Sequence, residues 1–462
     1  MFLSPSSAKF IRFSFLAILV ATTFFQYLPI SSVWTISIVV LLTILLWAMQ
    51  LFPPWLVALL FMTVCCLGKL AVPSLALQGF VASGTWLVFA GLIIGAAMKH
   101  TGLAAAIAIK MAPWLKGSFA RTLIGFMCFG VICVFLMPSA MGRVVLLLPI
   151  FKALAIQLGY EEESEGYSHL LLAGVFATYM PAFAVLPANV PNTVLLGATE
   201  ALFGHGPSYL QYLVVHFPIL GLVKLGLIFL VLWLPLRNML PPSVRTQTLS
   251  LDNHQAAVLA RRKLMYILAG MLLLWVTEPW HHLATAWIAV LAVIFCFLPG
   301  MNVLPEKPLE KFNFAPMLYV AGVISLGAVT SHSAVVGVLA EKINLLLLNV
   351  HPSNGISFLL LSALASIMGL LVTLPAAPAV LTPLTTSLAH GLGLSLSSVY
   401  MTQIIGLSTF WLPYQAPPLI IAKTMGNLSW KKLTRYCLIL AGLSLLILWP
   451  LDYIWWKILS LL

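Results

Sequence analysis

Charge is what this sequence has least of. Only 7% of its 462 residues are Asp, Glu, Lys or Arg, while 62% are hydrophobic. A soluble domain carries roughly 25% charged residues, so this chain cannot cover a water-facing surface and reads as an integral membrane protein. No polar stretch is long enough for a receptor ectodomain, a tethered catalytic domain or a nucleic-acid-binding module. Carboxylates are scarcest, 11 in all. Glu161, Glu162, Glu163, Glu165, Asp252, Glu306 and Glu310 fall in loops, and Glu200, Glu278, Glu341 and Asp452 near the ends of apolar runs. None falls at mid-membrane, where proton relays and cation pumps carry theirs, so a carboxylate-based cation route is disfavoured. Cys65, Cys66, Cys128, Cys133, Cys296 and Cys437 are scattered without metal-ligand spacing and read as small core residues. His281–His282 reads as interfacial. The sequence also lacks a Gly-rich Lys-Ser/Thr phosphate loop, which argues against ATP-driven transport. No nucleophile–base pair, carboxylate pair or metal cluster at depth supports an intramembrane enzyme. Neither a metal site nor a bound organic cofactor is expected.

What is present is a series of apolar runs, near 10–30, 33–51, 54–72, 79–98, 119–157, 168–203, 210–236, 263–299, 314–348, 355–391, 397–426 and 433–459. A span needs about 20 such residues, and several runs are longer than one span or cut by Pro and Gly. The first run follows Lys9 and Arg12 without a small-residue cleavage site, so it reads as a retained helix. With the N-terminus inside, eighteen of the 23 basic residues fall on the inner face, and only Lys69, Lys342 and Lys457 outside. That is the positive-inside asymmetry. It places the C-terminus outside and makes the net charge of +12 a record of orientation. Arg143 and Lys224 remain within apolar sequence.

The chain also repeats itself. Residues 85–98 (TWLVFAGLIIGAAM) match 316–329 (PMLYVAGVISLGAV), 138–150 (PSAMGRVVLLLPI) match 372–384 (VTLPAAPAVLTPL), and 188–192 (ANVPN) face 415–419 (QAPPL), at offsets of 231, 234 and 227. The partner blocks run in opposite directions through the membrane, so the repeat is inverted, a hallmark of secondary transporters. Basic residues at both ends of 119–157 make it a hairpin that dips in from the inside and turns at Pro138-Ser139. Residues 355–391 do the same from the outside, turning at Thr373-Leu374-Pro375. Broken helices follow at 168–203 and 397–426. Helix N-termini at such breaks favour an anion, and freed carbonyls favour a cation.

These blocks resemble the divalent anion:sodium symporter family of the wider ion-transporter superfamily, over nearly the whole chain. The resemblance rests on TWLVFAGLIIGAAMKHTGLA (85–104), LLLPI (146–150), ANVPN (188–192), WVTEPWHHL (275–283) and QAPPL (415–419). It implies an all-α polytopic membrane protein of about 11 transmembrane helices plus two re-entrant helical hairpins in two inverted repeats, acting as an elevator. Scaffold helices would occupy 1–78, 210–299 (with the inner linker 237–263) and 433–462. Transport regions would occupy 79–209 and 300–432. The implied partners are a small anionic substrate, such as a dicarboxylate, citrate or sulfate, the lipid bilayer and a second copy of the chain, with Na⁺ or H⁺ as coupling ion, in a bacterial inner membrane.

Carried over by position, the resemblance implies substrate contacts from Ser139, Ala140, Met141, Arg143, Asn189, Pro191, Asn192, Thr193, Thr373, Leu374, Pro375, Gln415 and Pro417. It implies cation contacts from Ser139, Gly142, Asn189, Thr373, Ala376 and Ala416. The family's Ser-Asn-Thr tips are here Ser139-Ala140-Met141 and Thr373-Leu374-Pro375, each keeping one hydroxyl. Against these losses stands Arg143, four residues past Ser139 and without a local carboxylate. It reads as a fixed cation that pairs with the anion and stands in for a sodium ion, or else as a cap on hairpin carbonyls. Lys224, between Gly221 and Gly226, reads as structural or lipid-facing.

Overall fold

In the lipid core every backbone polar group needs an internal partner, which leaves helices as the economical solution for such runs. A computed structural model describes residues 32–48, 52–162, 164–240, 254–331, 353–371 and 373–462, and among these all regular elements are helical. The run at 10–30 lies outside the described residues, as do Lys9, Arg12, Glu163, Arg245, Asp252, Glu341 and Lys342.

Short polar residues start the helices where the sequence leaves the apolar pattern. Ser118, Ser139, Ser164, Ser208 and Ser395 each accept a backbone N–H three residues on, at 3.1–3.2 Å. Each satisfies one of the donors orphaned at a helix N-terminus. Carboxylates do the same from a distance: Glu200 accepts from Ser83 N–H at 3.0 Å and Glu278 from Tyr209 N–H at 2.7 Å. At Gly102 the chain adopts φ 67°, a left-handed geometry suited to glycine. There the helix Ser83–Thr101 turns by 61° into Leu103–Leu115.

The order of elements occurs twice. A hairpin (Phe119–Leu136, Ala140–Gln157) precedes a broken helix (Glu165–Tyr179, Val190–Phe203). A second hairpin (Asn354–Leu371, returning through Ala377–Leu381 and Thr385–Leu392) precedes a second broken helix (Leu396–Leu407, Pro417–Gly426). A long helix then closes each set, Tyr209–Leu236 and Trp430–Ile458, and each contains a π-helical segment, Phe217–Val223 and Ser444–Leu448. Among the described residues five helices are individually long and apolar enough to cross a membrane, with the bent pair as a sixth. The shorter apolar helices of 10–17 residues include Leu396–Leu407, cut short by its break.

In each repeat the first hairpin helix packs broadly on the first half of the broken helix. Both contacts close on glycine: a Cβ at Gly130 would meet Thr178 Oγ1 at 2.8 Å, and one at Gly406 would collide with the Ser362 carbonyl. Small residues let the backbones approach where lipid offers no hydrophobic drive. The repeats also interlock, with Ala140–Gln157 on Pro417–Gly426 and Val190–Phe203 on Ala377–Leu381. Lys224–Trp233 packs on Phe119–Leu136, on Glu165–Tyr179 and on Trp430–Leu443. By packing, then, 209–236 and 430–458 join the hairpins and broken helices, whereas the sequence grouped 210–236 and 433–462 with the scaffold. The cysteines are free, but Cys128 is exposed and Cys66 only partly buried, so the core assignment holds for Cys65, Cys133, Cys296 and Cys437.

Gly406→Val should cost about 1–3 kcal/mol through overpacking and lower the melting temperature of the detergent-purified protein. Gly442→Val, at a position with no neighbour within 4 Å, should shift it far less.

Candidate functional site

Breaking a helix at depth leaves carbonyls without their N–H partners, and the structure accounts for them one by one. In the first break, residues 180–189, Asn192 reaches back from the start of Val190–Phe203. Its amide donates to the carbonyls of Ala182 (3.0 Å), Phe183 (3.2 Å) and Val185 (2.9 Å). Tyr212 Oη adds a second bond to Phe183 O at 2.8 Å. Asn189 caps the new helix by accepting from Asn192 N–H at 3.0 Å, and Thr193 Oγ1 donates to Val190 O at 2.9 Å. Pro191 fills the first turn, where its missing N–H costs nothing.

Arg143 completes this break from the hairpin. Its side chain is 0% exposed. Nη1 donates to Met137 O in the hairpin turn, and Nη2 donates to Thr178 O at 3.3 Å and Ala188 O at 2.8 Å. Thr178 lies in the last turn of Glu165–Tyr179, where the helix dipole favours a cation. Arg143 therefore ties the hairpin tip to both sides of the break. Both terminal nitrogens thus cap backbone carbonyls, the second of the two roles read from the sequence, while Nε is buried without a partner among the described residues.

The second break, residues 408–416, is met by different residues in the same way. Gln415 Oε1 accepts from Trp411 N–H (2.8 Å) and Leu412 N–H (2.9 Å), while Nε2 donates to Gly369 O of the second hairpin (2.8 Å). Ser366 donates to Thr409 O at 3.0 Å. Lys224 donates to Ser408 O at 2.5 Å, from a side chain that is 1% exposed. Ser408 is the C-cap of Leu396–Leu407, so each broken helix ends its first half on a buried cation. Of the two readings from sequence, structural or lipid-facing, its burial on the Ser408 carbonyl fits the structural one.

The other anticipated residues divide into two sets. Ser139 is half-buried with its hydroxyl turned to Gly142 N–H, and Thr373 Oγ1 shares a hydrogen bond with Tyr319 Oη at 3.0 Å. Met141 is exposed, and Gly142, Pro375 and Pro417 are half-buried. Ala140, Leu374, Ala376 and Ala416 are buried, as are Asn189, Asn192, Thr193 and Gln415. The two hairpin turns thus present small or apolar side chains, while the polar residues behind them brace backbone. Sequence reasoning noted Lys224 and Asp452 separately and missed that they are electrostatic partners. The signal was available: they stand 228 residues apart, within the offset range of the repeat.

Two hairpins, two broken helices and a buried cation at each break define a polytopic membrane carrier. The chain belongs to the family described as the sodium:sulfate symporter transmembrane region, whose profile matches residues 8–462. That is a family of transporters and not of enzymes. A protein of Cupriavidus necator, described as a membrane protein, is 26% identical over 397 residues, covering 83% of this chain and 77% of that one. Among solved structures the YdaH transporter of Alcanivorax borkumensis, described as having an unusual topology, matches with a TM-score of 0.53 at 16% identity. The match covers 84% of this chain and 88% of that one. This likeness is one of fold.

Asn192→Ala should strip donors from the carbonyls of 182, 183 and 185 and cost about 1–3 kcal/mol. Thermal melting and faster amide exchange across 180–189 should both report it.

Proposed function

We propose that this protein is a secondary carrier of a small anion, a dicarboxylate, carboxylate, sulfate or sulfonate, moving by an elevator mechanism in a homodimer. The observation that carries this reading is the buried cation at each break, Arg143 and Lys224, beside the N-termini of the helices at Ala140, Val190 and Pro417. Fixed positive charge and helix N-termini at one place favour a negative ligand. The anion is held at the hairpin tips, by Ser139 and Thr373 and by backbone N–H groups, within the field of Arg143. Met141 and Leu374 suit a substrate with an apolar body beside its charged group.

The proposed elevator carries the hairpins, the broken helices and the long helices packed on them, and the scaffold is the remainder. Eighteen inner basic residues support a bacterial inner-membrane orientation with the N-terminus cytoplasmic and the C-terminus outside, and the relative is bacterial. The family's name carries sodium, but at the first break the guanidinium takes the carbonyls that a sodium ion would need. Coupling therefore dispenses with sodium there. An uncoupled facilitator on the same fold is the second reading, favoured by the loss of polar side chains at both tips.

Proteoliposomes supplied with radiolabelled succinate or sulfate test both readings. Saturable counterflow and uphill accumulation are expected of a coupled carrier, whereas a facilitator stops at the substrate's own equilibrium. Replacing sodium by potassium should leave wild-type uptake unaltered. Arg143→Ala should lower uptake about tenfold or more, in keeping with about 1.5–3 kcal/mol per hydrogen bond to a charged group, with Arg143→Lys between. Sodium-dependent wild-type uptake, or uptake unchanged in Arg143→Ala, would overturn this account of the first break.

A further inference from the structure

The two breaks are capped alike, but by cations of different chemistry. A guanidinium keeps its charge in any protein environment, whereas a lysine ammonium can exchange its partners and its proton. Among the described residues, a carboxyl group lies within electrostatic reach of the cation at the second break alone. Asp452 lies in Trp449–Ile458 and is 0% exposed. Lys224, on the other long helix, lies within electrostatic reach of it. Those two helices touch at their π-helical segments, Phe217–Val223 and Ser444–Leu448, and π segments gather at functional sites.

What sets the place apart is unmet hydrogen bonding. Both Asp452 oxygens are buried with no partner among the described residues, and so are both ring nitrogens of His216 and Nε1 of Trp456. Trp456 sits one turn beyond Asp452 on the same helix face, and the His216 ring lies 5.9 Å from it and 4.6 Å from Tyr212. A native core keeps few such groups, and each asks for an explanation. An ionised, unpaired carboxylate here would cost several kcal/mol, more than the about 1–3 kcal/mol of a neutral carboxyl group that lacks a partner. Lys224 meanwhile spends its ammonium on Ser408 O and not on Asp452.

We infer that Asp452 is the proton-binding site of the carrier and that Lys224 reports its state to the second break. With the proton on a carboxyl oxygen of Asp452, Lys224 caps the Ser408 carbonyl, the arrangement seen in the structure. When the proton leaves for water, the carboxylate draws the ammonium off that carbonyl and uncaps the end of Leu396–Leu407. One proton bound adds one positive charge to the proposed moving part and offsets one negative charge of the anion. This rests on the anion-carrier reading above.

The neighbouring titratable groups fit this division of labour. Cys437, on Trp430–Leu443, is within electrostatic reach of Lys224, and Tyr179, on Glu165–Tyr179, links Cys437 to Arg143. Tyr209, Tyr212 and His216 face from Tyr209–His216, and Cys128 and Cys133 lie on Phe119–Leu136. Asn354–Leu371, packed on the Asp452 helix, carries no titratable side chain. The full charges on these helices sit in their terminal turns: Arg121, Glu165 with His169, Lys431, Lys432 and Arg435, and Lys457 beyond Tyr453.

Two measurements on the full-length protein test the inference. In nanodiscs, infrared difference spectra should show the carbonyl stretch of a buried protonated carboxyl group, and Asp452→Asn should abolish it. In proteoliposomes loaded with succinate or sulfate, an inward proton gradient should drive accumulation by the wild type. Asp452→Asn should abolish that accumulation and flatten the pH profile, while counterflow, which moves no net proton, falls much less. Lys224→Met should lose both fluxes, and Lys224→Arg should recover part of the counterflow. Size-exclusion profiles and melting curves establish that each variant is folded. Accumulation by Asp452→Asn at the wild-type level, or an infrared band that survives it, overturns the proposal. So does a band that vanishes in Asp452→Asn with the pH profile intact, because Asp452 would then be a merely structural acid. If the wild type moves neither anion but the band titrates and depends on Asp452, the anion reading fails and the proton site stands.

Discussion

A carbonyl group cut off from its helix inside a membrane must find a donor from somewhere, and water is not available to supply it. That requirement organises this protein. Each repeat interrupts a helix at depth, and the chain then spends its few buried polar side chains on the exposed ends. Asn192 serves three carbonyls of the first break, and Gln415 joins two N–H groups of the second to a carbonyl of its hairpin. The glycine contacts at Gly130 and Gly406 follow from the same constraint, because they bring the first hairpin helix close enough for its turn to share in the network. Stability and site are here one set of bonds.

The cations divide the breaks by function. Arg143 closes the first permanently, joining hairpin turn, helix end and new helix start in one bidentate-like grip. Lys224 closes the second on terms that Asp452 can alter. The loss of polar side chains at the tips and the gain of buried charge behind them are thus linked departures from the family pattern. In the proposed carrier, these fixed groups supply positive charge behind a smaller, more apolar pair of tips.

The fold was legible to a considerable depth. Apolar runs, proline breaks and the near-constant offset between matched blocks anticipated both hairpins, both broken helices and their order. At the candidate site, Ser139, Asn189, Asn192 and Gln415 were correctly singled out as residues of the turns and breaks. Their bonding partners were not legible, because those partners are backbone atoms, and every residue has the same ones. Arg143 was flagged for the right reason, an unpaired charge in apolar sequence. The carbonyls that it caps, those of Thr178 and Ala188, 35 and 45 residues away, carry no mark in the sequence.

Lys224 and Asp452 show the limit most plainly. Each by itself looks like a stray charge within or near the end of a span, and hydropathy assigns each separately to the scaffold. Only the crossing of Tyr209–Leu236 with Trp430–Ile458 makes them neighbours. By itself the sequence determined that this is a membrane protein and that it is built twice over. Composition and periodicity are sums over many residues, and such sums survive without coordinates. The tertiary structure decided which charge meets which oxygen. A hydrogen bond or a buried ion pair depends on a few ångströms, and no count of residues along the chain contains that distance.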